Sequence, residues 1–188
     1  CAFTGYRPFK MPFGYDEESP LGLDFKKRLR ETIEVLILQG YKHMISGGAQ
    51  GMDIMAAEIV IDLQKDYPDV TLEIAIPFED QAKKWSEEYR ARWQRCIDKA
   101  DMLTVVSHEY TKNCLYARNR YIVQQADLLL ACFDGQEGGN QVIDHDDRQP
   151  EHGAQGLGSQ LSQQAGGTHG EVDAHHDQQD TEKTRMMK

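Results

Sequence analysis

Apolar positions step by three and four through residues 22–39, where Phe25, Leu29, Ile33, Leu36 and Ile37 share one face. That spacing predicts a helix, and Gly40 supplies its stop. A second helical pattern covers residues 50–66, with Met55, Ile59 and Leu63 four apart and Pro68 just beyond. A third covers 79–99, where Trp85, Tyr89 and Trp93 step by four and Ile97 follows. A fourth covers 115–125. Between them lie short apolar runs of strand character: the end of a strand in "CAFT", then "KHMIS", "VTLEIAIP", "DMLTVVS" and "DLLLACF". The last is apolar enough to be buried on both faces.

Strands separated by helices of this length imply parallel βαβ units, with right-handed crossovers that place helices on both faces of one sheet. The expected fold is α/β, a Rossmann-like three-layer sandwich around a mostly parallel five-stranded sheet. Ligands of such sheets bind outside the carboxyl ends of the strands, near the reversal in strand order. Every unusual loop in this chain follows a strand.

After Gly139 the pattern stops. Residues 140–188 contain no Phe, Trp or Tyr, and they hold five of the seven histidines. A segment rich in Gln, Gly, Asp and His cannot bury enough surface to offset its chain entropy, so a disordered tail is expected. The domain division is therefore 1–139 for a folded unit and 140–188 for a polar tail. Scattered histidines in such a tail, His175 and His176 among them, make a metal site the weaker reading. The chain opens inside an apolar segment without Met, which points to a start truncated by a few residues.

The formal net charge is −10, shared evenly. Residues 1–139 carry 17 basic and 22 acidic side chains, and residues 140–188 carry 4 and 9. A mildly acidic folded unit disfavours nucleic-acid binding, which depends on neutralising phosphates. No apolar run is long enough to span a membrane. Cys1, Cys96, Cys114 and Cys132 show no paired short spacing, so neither a disulfide framework nor a zinc site is suggested, and the cytoplasm is the expected compartment.

Chemistry concentrates in the loops. "SGGAQGMD" follows a strand and opens a helix, so Ser46, Gly47, Gly48 and Gly51 sit where helix N–H groups are unbonded and the dipole favours an anion. Asp53 falls in the first turn, able to cap those N–H groups or to accept from ligand hydroxyls. The alternative is that these glycines only let strand and helix pack tightly. The spacing matches neither the dinucleotide fingerprint nor a P-loop. "TGYRP" also follows a strand and offers Thr4, Gly5 and the fork-shaped cation Arg7, whose competing role is a surface ion pair with Asp16, Glu17 or Glu18. "YARNRY" places Arg118 and Asn119 at the start of a helix, where ordinary surface polarity is the competing role. "DGQEGG" adds Asp134, Gly135, Gly138 and Gly139 after the fifth strand. Four such loops at one sheet edge would form a single pocket.

Taken in order, "TGYRP", "SGGAQGMD", "IPFEDQAKKWSEEYRARW", "RNRYIV" and the glycines of "DGQEGG" make residues 1–139 resemble the YpsA-like branch of the SLOG superfamily. That superfamily also holds the DprA/Smf DNA-processing proteins and the Lonely Guy enzymes. The resemblance implies a Rossmann-like fold that binds a nucleotide or nucleotide-derived ligand, ADP-ribose-like molecules being commonly proposed. It implies roles for Thr4, Gly5, Arg7, Gly47, Gly48, Gly51, Asp53, Arg118 and Asn119 in that binding, and a link to division and growth control in Gram-positive bacteria. It implies no secure catalytic activity and no catalytic residue. Tyr6 stands where the family often has His.

At the C-terminal end the family's "GGT" opens a further helix and leads into a last strand. Here Asn140 follows the glycines and the pattern for both elements is missing, as a frameshift would produce. An exposed sheet edge would then favour pairing with another chain, a homo-oligomer included.

Three functions of different classes follow. The leading one is a non-enzymatic sensor whose bound nucleotide reports to a protein partner. The second is a glycosidic hydrolase of nucleoside monophosphates, as in Lonely Guy relatives. Their P-G-G-x-G-T-x-x-E motif is absent from "GGNQVID", so Asp53 or Asp134 would have to substitute. The third is single-stranded DNA binding, with Trp85, Tyr89 and Trp93 as stacking groups, although their spacing marks a buried helix face.

Overall fold

The computed structural model describes residues 1–132 and the backbone of residues 155–156. Its elements, in chain order, are β1 (Ala2–Gly5), α1 (Pro20–Leu38), β2 (His43–Ser46), α2 (Met52–Leu63), β3 (Thr71–Ile76), α3 (Glu87–Lys99), β4 (Met102–Val105), α4 (Cys114–Gln125), β5 (Leu129–Cys132) and β6 (Gln155–Gly156). All the strand pairings are parallel and the order is β4-β3-β2-β1-β5-β6. The expected α/β sandwich with its five parallel strands is the observed fold.

The helices begin where local chemistry satisfies their first N–H groups. Ser19 caps α1 through its Oγ, which accepts from Gly22 N at 3.2 Å, and Pro20 takes the first helical position. The face of Phe25, Leu29, Ile33, Leu36 and Ile37 is buried as the spacing requires. Ser86 caps α3, accepting from Tyr89 N at 3.3 Å, with Glu87 and Glu88 in the first turn. That cap corrects the expected helix of 79–99: residues 79–85 are turns and a bend, and α3 starts at Glu87. Trp85 therefore precedes the helix, yet it meets Trp93 edge to face at a ring distance of 6.4 Å. α2 is likewise shorter than the expected 50–66, and it is buried on nearly every side, Met52, Ile54, Met55, Ala56, Ala57 and Val60 included.

Sheet residues alternate between two cores. Phe3, Met44, Leu72, Ile74 and Leu130 pack with α1, α2 and α3. Ala2, Ile45 and Ala75 pack with Ile122 of α4 on the opposite face. On that second face Glu73 is buried, and its carboxylate accepts from Tyr121 Oη at 2.7 Å and Thr104 Oγ1 at 2.7 Å and meets His43 Nε2 at 2.9 Å. The network ties α4 to β2, β3 and β4.

From β1 the chain builds outward to β4, then returns to lay β5 on the other side of β1. The reversal in strand order thus falls between β1 and β5. The edge of β5 is not left open. Gln155–Gly156 pairs with Leu130 and Ala131, a strand within the segment where none was expected. The expected disorder of the rest of 140–188, and the loop of Asp134, Gly135, Gly138 and Gly139, lie outside the described residues. Among the described residues no helix is long and apolar enough to cross a membrane.

Candidate functional site

A cavity of about 340 Å³ opens at the β1–β5 reversal. Its size lies within the range of small-molecule sites. Thr4, Gly5 and Arg7 reach it from the end of β1, Asp53 from the first turn of α2, and Arg118 and Asn119 from α4. Six residues from three separate stretches of sequence are thereby brought together. Ser46, Gly47, Gly48 and Gly51 do not line it; they form the structure beneath.

The glycine loop is occupied from within the protein. Ser46 Oγ donates to the carbonyl of Asp53 at 2.8 Å and accepts from Gly48 N at 3.2 Å. Ala49 N donates to Asp53 Oδ2 at 3.3 Å, and Met52 N to the carbonyl of Tyr6 at 3.2 Å. Gln81 Nε2 holds the Gly48 carbonyl at 2.7 Å. The amides of Gly48, one of those expected to await a phosphate, and of its neighbours Ala49 and Met52 are therefore already bonded. The glycines clear space for protein groups. A Cβ on Gly47 would stand 1.4 Å from Arg118 Nη1, and one on Gly51, whose φ is +90°, would stand 2.3 Å from the Tyr6 carbonyl oxygen.

What the loop presents to the cavity is a charge arrangement. Arg118 is buried, and its Nη1 lies 3.3 Å from Asp53 Oδ2, also buried. Arg118 Nε is buried and has no hydrogen-bond partner among the described residues. Arg7, half-buried, has its pKa held below the ordinary arginine range by burial; Asp53 opposes that shift and Arg118 adds to it. Among the described residues Arg7 forms no ion pair within 4.0 Å, so the surface pairing weighed for it is not made. Glu18 pairs with Lys26 and Glu17 with Arg92 instead. Arg118 thus pairs with Asp53 while Arg7 only feels its charge, and Lys10 adds a third cation to the lining. Such a wall attracts an anion and offers it fork-shaped donors.

Comparison with known proteins gives the lineage. The model of the YpsA family, described as the YspA SLOG family, matches residues 1–155. The chain belongs to the YpsA family. The UPF0398 protein of Bacillus pumilus (strain SAFR-032) is 30% identical over 141 residues, covering 74% of this chain and 75% of that protein. UPF0398 proteins of Bacillus cereus (strain G9842) and Bacillus thuringiensis (strain Al Hakam) are each 28% identical over 141 residues, covering 74% of this chain and 76% of theirs. The family match extends through Gln155, and so reaches the start of β6.

A second cleft, about 740 Å³, lies across α2 and the start of α3. Pattern reading singled out two of its aromatics, Trp85 and Tyr89, but missed its core, an Arg92 clamp. Arg92 Nη1 and Nη2 donate to Glu17 at 2.7 and 3.0 Å, and Nε and Nη2 donate to Glu58 at 2.9 and 2.6 Å. The guanidinium also sits 5.3 Å from the Tyr89 ring centre. Tyr89 is buried, and Asp16, Glu18 and Glu88 join Glu17 and Glu58 around the cleft. This wall is acidic, which does not suit a phosphate backbone.

Proposed function

We propose that this YpsA-family protein binds a nucleotide-derived anion of the ADP-ribose kind in the cavity between β1, α2 and α4, and acts as a sensor without catalysis. One observation carries the reading. Arg7 and Arg118 both line a cavity at the strand-order reversal where Asp53 is the one carboxylate among the described residues, and the buried Nε of Arg118 has no partner among them. A buried donor without an acceptor costs about 1–3 kcal/mol, and an anionic guest would relieve that cost.

Thr4, Gly5 and Asn119 supply the polar and open positions around such a guest. The loop of Ser46, Gly47, Gly48 and Gly51 acts indirectly in this proposal, by seating Arg118 and Asp53. Asp53 is engaged by Ala49 N and Arg118 together, which supports a role in holding the cations. A general acid would need a carboxyl free to exchange its proton with substrate. We place the bound state upstream of a protein partner in growth control, in keeping with the family resemblance.

Calorimetry of the full chain with ADP-ribose and AMP tests the reading. A dissociation constant below about 1 mM for either is expected. Absence of heat with both at millimolar concentration contradicts it. Release of free base from a nucleoside monophosphate would replace it with the hydrolase.

A further inference from the structure

The cavity has a second kind of wall. Phe9 and Tyr116 line it together with Arg7 and Arg118, although 66% of Phe9 and 49% of Tyr116 is exposed. Among the described residues neither ring pairs with another aromatic. Single exposed aromatics are ordinary. Two that border one cationic cavity, from segments more than a hundred residues apart, are a placement that folding has made. Both are fixed to elements that carry the cations. Phe9 lies in the single 3-10 turn Pro8–Lys10, closed by Lys10 N to the Arg7 carbonyl at 2.9 Å and Met11 N to the Pro8 carbonyl at 3.0 Å. Tyr116 lies in the first turn of α4, two residues before Arg118.

Resting on the anion-site reading above, we infer that Phe9 and Tyr116 are the specificity surface for a planar ring in the guest. The guanidiniums of Arg7 and Arg118 hold the phosphate end, and the two exposed rings hold the heteroaromatic end by stacking. Aromatic faces stack on any base with little demand for hydrogen-bond pattern. The site therefore takes nucleotides as a class and rejects sugar phosphates that lack a base.

The test compares AMP with ribose 5-phosphate, which keeps the phosphate and the sugar, on the full chain by calorimetry. AMP is expected to bind on the order of tenfold more tightly. The double variant Phe9→Ala/Tyr116→Ala should bring AMP down to the affinity of ribose 5-phosphate and leave ribose 5-phosphate within about twofold. Tyr116→Phe should retain the preference. Both positions are exposed, and unchanged thermal unfolding confirms that the fold is kept. Equal binding of the two ligands by the unaltered chain overturns the ring surface and leaves the anion site standing, as does a preference that survives the double variant. No binding of either ligand removes the anion site and this inference with it.

Discussion

The guanidinium of Arg118 occupies the space that a side chain on Gly47 would fill, with Nη1 only 1.4 Å from the position of such a Cβ. One residue is at the end of β2 and the other is in α4, so a glycine in one crossover makes room for a cation delivered by another. The substitution Gly47→Ala is expected to displace Arg118, break its contact with Asp53 and cost about 1–3 kcal/mol of stability. Urea unfolding measures the loss. Gly47 is not among the positive-φ glycines, so the loss comes from the displaced cation and not from backbone strain.

Removing Arg118 itself should cost more. Arg118→Leu leaves the Asp53 carboxylate buried with one close cation fewer, and a loss of about 3 kcal/mol is expected. The double variant Asp53→Leu/Arg118→Leu should be less destabilised than the sum of the single changes by at least about 1 kcal/mol. Additive losses would show that the pair does not couple.

The Arg92 clamp gives a structural prediction away from the cavity. Two carboxylates, Glu17 and Glu58, depend on it, and it lies mostly out of solvent. Arg92→Met should destabilise the chain by about 2–4 kcal/mol in urea unfolding. Ligand affinity at the Arg7 cavity should be unaffected.

Glu73 makes the acid limb of stability testable. Burial alone would raise its pKa, but hydrogen bonds from Tyr121, Thr104 and His43 outweigh burial and lower it below the ordinary 4.5. A carboxylate depressed in the folded state contributes stability fully above its unfolded pKa. That contribution fades as the pH falls below about 4.5 toward the folded value. Glu73→Gln should therefore flatten the dependence of unfolding free energy on pH in that window. An unchanged acid limb would contradict the assignment.

The fold was legible because its signals are local. The face of Phe25, Leu29, Ile33, Leu36 and Ile37, and the apolar runs between helices, each lie within a few residues. The start of α3 was misplaced because Trp85 continues the step of four while Ser86, immediately after it, ends the turn region by capping. β6 was not foreseen, since two residues, Gln155 and Gly156, carry no periodic signal. At the site, the loops that supply Thr4, Arg7 and Asp53 could be found from their glycines and their places after strands, and Arg118 from its place at a helix start after the fourth strand. The use made of the glycines could not. Gly47 admits Arg118 and Gly51 admits the Tyr6 carbonyl, and both partners are distant in sequence. A glycine that clears space reads the same in sequence whether a ligand or the protein fills it.

The most direct measurement is calorimetric titration of ADP-ribose into the full chain and into Arg7→Met. Arg7 is half-buried and without an ion pair among the described residues, so its replacement should leave the fold intact. The unaltered chain is expected to bind, and Arg7→Met to bind at least about tenfold more weakly, the loss of a charged hydrogen bond. Equal affinity for the two proteins would contradict the proposal that Arg7 and Arg118 together hold the anion.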